Sequence, residues 1–274
     1  MKNKILLYVS ISFLALFIYS TIVHPFLEDY DIVPEFPGGV SSKTIFMLFF
    51  SLFHALYYLG WRKTLVFFVI TAAVSWGYEE IGVETGIVYG KYHYTDYLGQ
   101  KIGHVPLIIP LAWFMMIYPS YVIANIIYSK NAFLKKITFS KIIMISLLSA
   151  AVMTAWDTVI DPYLSGPTVG AWVWENGGVY FGVPIHNFVG WIVTTFTIYV
   201  LYRIFEAKSK TIEYSKNNYL ILPVIAYGLM LAANLIPGEP AELIYIGPVI
   251  MGIPFVLAII RYRAGKKLSI LNNS

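Results

Sequence analysis

Residues 105–128 read VPLIIPLAWFMMIYPSYVIANIIY and contain no charged side chain. A helix needs about 20 predominantly apolar residues to cross the hydrocarbon core of a bilayer. This run therefore predicts a transmembrane helix, because a backbone inside lipid must satisfy its own hydrogen bonds. Seven further stretches of the chain are also long and apolar: residues 5–23, 44–59, 65–81, 142–160, 183–205, 219–236 and 243–260.

The composition agrees with a protein embedded in lipid. Of the 274 residues, 58% are hydrophobic and only 12% are charged, whereas soluble domains carry roughly 25% charged residues. The chain has no cysteine, which excludes a disulfide scaffold, a thiolate nucleophile and an iron–sulfur cluster. We predict an all-α, polytopic bundle of about eight transmembrane helices, with residues 1–274 forming a single integral membrane domain.

The charged residues between the apolar stretches predict the orientation. With the N-terminus in the cytoplasm, all but three of the 19 Lys and Arg residues lie on the inner side, and the exceptions are Lys43, Lys91 and Lys101. The 15 acidic residues lie outside, except Glu206 and Glu213. Basic residues concentrate in cytoplasmic loops. We therefore expect a multi-pass protein of the cell membrane with both termini cytoplasmic and with membrane lipid around it.

The first of three outer motifs spans residues 79–94 and reads EEIGVETGIVYGKYHY. Glu79 closes an apolar helix that also carries Trp76. A carboxyl group that lipid and rings keep from water holds its proton more tightly. Glu79 is thus a candidate for proton chemistry, although carboxylates at such a position can also simply end a helix in headgroup water. Tyr92 and Tyr94 follow within the same motif.

The second motif, residues 155–162, reads AWDTVIDP. Asp157 and Asp161 are four residues apart, so on a helix they share one face, and we expect Pro162 to limit continuation of that helix. Paired carboxyls can share a proton, but they could equally bind Mg²⁺ or cap a loop. An ionisable residue inside a membrane segment indicates a functional site.

The third motif, residues 172–191, reads WVWENGGVYFGVPIHNFVGW. A single Trp near a membrane surface is ordinary. Several rings beside two acidic motifs indicate a site suited to carbocation chemistry, because an aromatic face stabilises a cation by about 0.5–2 kcal/mol. The five histidines form no HxxxH or HxxHH cluster, which argues against a di-iron desaturase, and no nucleotide-binding loop is present.

Taken together, the outer motifs resemble the carotenoid-biosynthesis membrane family of CruF-type carotenoid hydratases, to which bisanhydrobacterioruberin hydratase belongs. The resemblance covers about residues 60–205. It rests on these residues: Glu79, Gly82, Thr85, Gly86, Gly90, Tyr92, Tyr94, Leu98, Gly99, Val105, Pro106, Pro110, Ala112, Trp113, Trp156, Asp157, Asp161, Pro162, Gly182, Val183, Pro184, Asn187, Phe188, Gly190 and Trp191.

The resemblance implies a hydro-lyase that adds water across a terminal C=C bond of a long-chain carotenoid of the bacterioruberin type, giving a tertiary alcohol. Such a carotenoid hydratase uses no cofactor or metal and no nucleic-acid partner, and works by protonation followed by capture of the carbocation. Asp157 or Asp161 would donate the proton and Glu79 would position or deprotonate the water. The expected substrate-binding residues are Trp156, Trp174, Tyr92, Tyr94, Asn187 and Trp191.

Two other functions are compatible with the same residues. One is a UbiA-like prenyltransferase, because DTVID (residues 157–161) looks like half of an Asp-rich diphosphate site. Such an enzyme needs a second motif of this kind to hold Mg²⁺ against the diphosphate. The other is a non-catalytic isoprenoid-binding or transport protein, in which the outer acids and rings form only a gate.

Overall fold

A computed structural model of the chain describes residues 4–28, 30, 32–34, 39–129, 137–209 and 218–271. A short π-helix, Tyr19–Val23, joins the first two α-helices, and a 3₁₀ turn, Asn218–Ile221, precedes the eighth. The α-helices are α1 Lys4–Ile18, α2 His24–Glu28, α3 Gly39–Leu59, α4 Trp61–Thr85, α5 Ile108–Ser129, α6 Phe139–Leu164, α7 Ile185–Lys208, α8 Leu222–Leu235, α9 Leu243–Ile250 and α10 Gly252–Leu271. The strands are β1 Tyr92–Tyr94, β2 Lys101–Ile102, β3 Val105–Pro106 and β4 Trp172–Trp174.

The helices confirm an all-α polytopic membrane protein. Within the described residues, seven helical segments are long and apolar enough to cross a bilayer. They include α1–α2 as one segment, Lys4–Glu28, and α9–α10 as another, Leu243–Lys266. The eighth predicted segment forms the shorter apolar helix Tyr219–Leu235. Each of the eight apolar stretches thus corresponds to a helix.

Helix α5 lies at the centre of the bundle, where it packs against α3, α4, α6, α8 and α10. Every residue from Trp113 to Ile126 is buried. A helix that is apolar on all sides is one that neighbours enclose completely, which is why the longest uncharged run of the sequence forms the core of this fold.

Of the prolines inside helices, Pro162 and Pro119 each have a neighbouring hydroxyl that bonds to the carbonyl they leave free. α6 passes through Pro162 and ends two residues later, at Leu164, so the proline limits the helix without stopping it at once. The carbonyl of Thr158, four residues earlier, accepts a hydrogen bond from the Tyr180 hydroxyl at 2.9 Å. In α5, Pro119 frees the carbonyl of Met115, which accepts the Ser51 hydroxyl at 2.7 Å. Prolines are tolerated in membrane helices when such partners exist.

The inner end of the bundle explains why Glu206 departs from the charge pattern. Its carboxylate accepts the Tyr121 hydroxyl, with oxygen–oxygen distances of 2.7 and 2.8 Å. It also interacts electrostatically with Arg203 and Lys63, both of which are buried. The Arg203 guanidinium lies 4.6 Å from the centre of the Tyr121 ring. Glu206 therefore balances buried positive charge instead of facing a loop.

Part of the charge pattern lies outside the described residues. This holds for Glu213 and for the following basic residues of the predicted inner side: Lys2, Lys130, Lys135, Lys136, Lys210 and Lys216, together with the side chain of Lys267.

Candidate functional site

A pair of short strands joins the first outer motif to the third. β1 and β4 pair antiparallel, with Tyr92 opposite Trp174 and Tyr94 opposite Trp172. Because side chains alternate along a strand, Tyr92 and Tyr94 point inward and are buried, whereas His93 is exposed. Both segments lie outside the apolar stretches of the sequence, and the strands bring four aromatic side chains into one cluster.

Glu79, in the penultimate turn of α4, is the first of three buried carboxyl groups, and its side chain is only 5% exposed. It accepts hydrogen bonds from the hydroxyls of Tyr92 and Tyr94, the latter at 2.8 Å. The Trp113 indole of α5 donates to its other oxygen at 3.3 Å. Three donors from two parts of the chain, β1 and α5, stabilise a carboxylate at this position.

Tyr92 and Tyr94 are fixed as hydrogen-bond donors. Burial raises the pKa of both phenols well above the usual value, and the negative charge of Glu79 raises it further. The two hydroxyls therefore keep their protons at any physiological pH and remain directed at Glu79.

Asp157 and Asp161 lie on one face of α6, and each is only 1% exposed. A single amide bridges them: Asn187 Nδ2 donates to Asp157 Oδ2 at 2.8 Å and to Asp161 Oδ2 at 2.7 Å. Asp161 Oδ1 also accepts the indole N–H groups of Trp172 at 3.0 Å and Trp174 at 3.3 Å. Among the described residues, three side chains thus donate hydrogen bonds to Asp161, whereas only Asn187 donates one to Asp157.

Three tryptophans form an aromatic stack beside the carboxyl groups. The rings of Trp113 and Trp191 are nearly parallel, at 15°, with centroids 4.1 Å apart. Trp156 meets Trp191 edge to face, with centroids 5.9 Å apart. Such pairs form a rigid apolar surface whose ring faces carry negative charge density, which is the environment that favours a carbocation.

Two glycines let the loop after α4 pack tightly against the helices. A Cβ atom at Gly82 would lie 2.7 Å from the Tyr89 ring, and one at Gly190 would collide with the carbonyl of Val88. Neither position can therefore hold a larger residue without displacing the loop. The Tyr89 hydroxyl then reaches Thr194 of α7, at 2.9 Å, so the loop that leads into β1 is fixed to α4 and α7.

A cavity of about 360 Å³ opens beside these groups. Its walls come mainly from the C-terminal ends of α4, α6 and α8 and the N-terminal ends of α3 and α5, and the first helical segment, α7 and strands β1 and β4 also contribute. Consecutive transmembrane segments cross the membrane in opposite directions, so the C-terminal end of one helix lies at the same side as the N-terminal end of the next. The volume is near the lower end for small-molecule pockets, so it suits one end group of a long ligand.

The structure brings most of the predicted site residues together around this cavity. All three carboxyl residues line it. Of the predicted substrate-binding residues, Trp174 and Asn187 do not line the cavity but donate to carboxyl groups that do. The predicted residues in the wall are Glu79, Asp157, Asp161, Trp156, Tyr92, Tyr94 and Trp191.

The wall residues that were not among the predicted site residues include three with a polar N–H group: Trp113, Trp172 and Asn234. Trp113 donates to Glu79 and Trp172 donates to Asp161. The alternation in Trp172-Val173-Trp174 matches that in Tyr92-His93-Tyr94, and this shared pattern is the signal that could have indicated two paired strands. Asn234 also lines the cavity, and an amide inside the apolar run of α8 was a visible signal too.

Comparison with known proteins agrees with the resemblance seen in the motifs. A family model described as "Carotenoid biosynthesis protein" matches residues 40–259. The chain belongs to this family. The matched range includes all three carboxyl residues of the cavity. The family prediction made from the motifs is therefore confirmed.

This carotenoid biosynthesis protein is also similar to a curated protein, bisanhydrobacterioruberin hydratase of Haloarcula japonica. The two are 28% identical over 134 residues, which is 48% of this chain and 42% of the relative. The match thus spans less than half of the relative's length. No solved structure matches the chain significantly.

Proposed function

We propose that this protein is a carotenoid hydratase of the cell membrane, adding water across a terminal C=C bond of an acyclic end group to give a tertiary alcohol. The observation that carries the proposal is the arrangement of three buried carboxyl groups and a tryptophan stack around one cavity. Hydration of such an alkene requires an acid, a surface that stabilises a cation, and a base for water. The cavity supplies a candidate for each.

The different hydrogen bonding of the carboxyl groups suggests their roles. Asp157 is the proton donor, because among the described residues only the Asn187 side chain donates to it, and a carboxyl with few donors holds a proton best. Glu79 and Asp161 each accept three side-chain hydrogen bonds, which favours the ionised form. These two carboxylates provide negative charge for the cation and a base for the water.

The reaction balances with these groups alone. The proton of Asp157 adds to the less substituted carbon of the double bond. The π-electron pair of the double bond forms the new C–H bond, and the O–H electron pair stays on the Asp157 carboxylate. The resulting tertiary cation lies against the faces of Trp156 and Trp191, each able to contribute about 0.5–2 kcal/mol. Water then forms the C–O bond and loses its second proton to Glu79. Transfer of that proton back to Asp157 through water restores the starting state.

The name of the relative suggests the substrate class. A bisanhydrobacterioruberin hydratase acts on a carotenoid that lacks two waters of bacterioruberin, so a fifty-carbon carotenoid of this type is the substrate that we propose here. The cavity accommodates one end of such a molecule, and the remaining polyene lies among lipid. The transferase alternative has less support, because Asp161 directs both its oxygens toward N–H donors of the protein, whereas Mg²⁺ would need them as ligands.

Expression in a host that accumulates an acyclic, unhydrated carotenoid tests the proposal. We expect extracted pigment to gain the mass of one or two waters per molecule, and Asp157→Asn and Glu79→Gln to abolish the gain. Glu84→Gln is the matched control, because Glu84 lies on the same helix but is exposed. Pigment that purifies with the protein yet keeps its mass would refute the hydratase and support a binding protein.

A further inference from the structure

Two buried N–H donors in the wall of the same cavity have no hydrogen-bond partner among the described residues. They are Asn234 Nδ2 and Trp156 Nε1, and both side chains are 6% exposed. The indoles of Trp113, Trp172 and Trp174, by contrast, all donate to carboxyl groups. Buried donors in folded proteins nearly always have an acceptor, so these two indicate a group that the protein itself does not provide.

The two donors come from neighbouring helices at the same end of the bundle. α6 and α8 pack together, and the Tyr227 hydroxyl of α8 donates to the Val152 carbonyl of α6 at 2.8 Å. Asn234 lies two turns beyond Tyr227, and Trp156 lies one turn beyond Val152, in both cases toward the cavity. Neither residue donates to Glu79, Asp157 or Asp161, so the carboxyl groups do not use these two N–H groups.

The chemistry of these donors selects a neutral oxygen. Indole N–H groups only donate, so they do not suit a cation. An anion is disfavoured because the three carboxyl groups that line the same cavity outnumber its one lysine, Lys43. The Asn234 amide can donate through nitrogen or accept through oxygen after rotation of its terminal torsion, and a hydroxyl group is the partner that uses both capacities.

We propose that Asn234 and Trp156 form a hydroxyl-binding subsite in this cavity, which holds a neutral oxygen while the carboxyl groups act on the double bond. The inference rests on the proposed function, since it assigns the oxygen to the same reaction. Two sources share this chemistry: a hydroxyl that the end group already carries, or the water that is added. In either case these are positioning residues.

The test uses the full chain in detergent and two probes: an acyclic carotenoid hydrocarbon, and the same carotenoid with one tertiary hydroxyl on its end group. Quenching of tryptophan fluorescence gives the affinity for each probe, and pigment mass gives the hydration rate. Asn234→Leu removes the amide at similar size. Trp156→Phe keeps a ring but removes the N–H, and it carries the test if Asn234→Leu fails to fold. Met230→Leu, an apolar change in the same wall, is the control for shape.

If the subsite binds a ligand hydroxyl, the wild type prefers the alcohol, and Asn234→Leu reduces that preference by about three- to tenfold, the effect of one hydrogen bond. If it binds water, both probes bind equally, and Asn234→Leu slows hydration about tenfold at unchanged affinity. Met230→Leu alters both affinities together in either case.

Two results would overturn the subsite. In one, neither Asn234→Leu nor Trp156→Phe changes the preference or the rate by more than about twofold. In the other, Asn234→Leu weakens both probes equally, as Met230→Leu does. A wild type that hydrates neither probe but keeps an Asn234-dependent preference for the alcohol would support the subsite and refute the proposed hydration, so the two failures are distinguishable.

Discussion

Replacing Asn187 by leucine removes the one group that bonds to both aspartates of α6. The amide makes two short hydrogen bonds, of 2.8 Å to Asp157 and 2.7 Å to Asp161, and leucine has a similar size without the donor. Hydrogen bonds to charged groups contribute about 1.5–3 kcal/mol each. Because the lost amide also orients the proposed acid, we expect kcat to fall by about 10²-fold or more, equivalent to about 3 kcal/mol in the activation barrier.

The predicted loss falls on kcat and leaves KM nearly unchanged, since Asn187 does not line the cavity. The assay follows pigment mass against time at several carotenoid concentrations in detergent. Thr197→Val is the matched control on the same helix. Its hydroxyl bonds to the Val193 carbonyl at 2.8 Å and to the Tyr78 hydroxyl at 3.4 Å and is not bonded to any of the three carboxyl groups, so we expect near-normal turnover. A folded Asn187→Leu protein with turnover within threefold of the wild type would refute the assigned role.

Three other predictions concern the structure around the site. Tyr180→Phe leaves the Thr158 carbonyl without its hydroxyl partner and should lower stability by about 1 kcal/mol, seen as an earlier thermal transition in detergent. Ser51→Ala likewise leaves the deeply buried Met115 carbonyl without its hydroxyl partner, and we expect it to lower the free energy of unfolding by about 1–3 kcal/mol. An unchanged thermal transition in either variant would contradict the role assigned to that hydroxyl. The raised pKa of Tyr94 means that it stays protonated near pH 10, where free tyrosine ionises. Its stabilising contribution is complete below that pH and is lost as the pH rises through the folded-state value. Alkaline absorbance titration should accordingly show the same native phenolate signal for wild type and Tyr94→Phe, and one phenolate fewer in the variant after unfolding.

The sequence was sufficient to predict the helices, since length and apolarity alone decide whether a segment can cross a bilayer. It failed where the outcome depends on partners distant in the chain. Pro162 was expected to limit α6, which ends two residues later, but the hydrogen bond that Tyr180 supplies to the freed carbonyl from a separate loop could not be predicted. The β1–β4 pair likewise joins residues about 80 positions apart, and three-residue strands have no periodicity long enough to detect.

For the candidate site, the sequence was sufficient to predict the carboxyl residues but not the donors that surround them. Buried acids are costly inside a membrane, so Glu79, Asp157 and Asp161 could be selected from one sequence. The donors that surround them were harder to assign, because an indole or amide N–H has a role only once its acceptor is located. Trp174 was predicted as a substrate-binding residue, whereas in the structure its N–H bonds to Asp161 and it does not line the cavity.

The most direct test of the central claim is hydration in water labelled with a heavy oxygen isotope. Purified protein would be mixed with an unhydrated acyclic carotenoid in labelled water, and the pigment analysed by mass. The account predicts that each hydrated end gains one labelled oxygen and two hydrogens, and that Asp157→Asn abolishes this gain while still binding the pigment. Pigment that stays unlabelled with the wild type, or becomes equally labelled with Asp157→Asn, would contradict it.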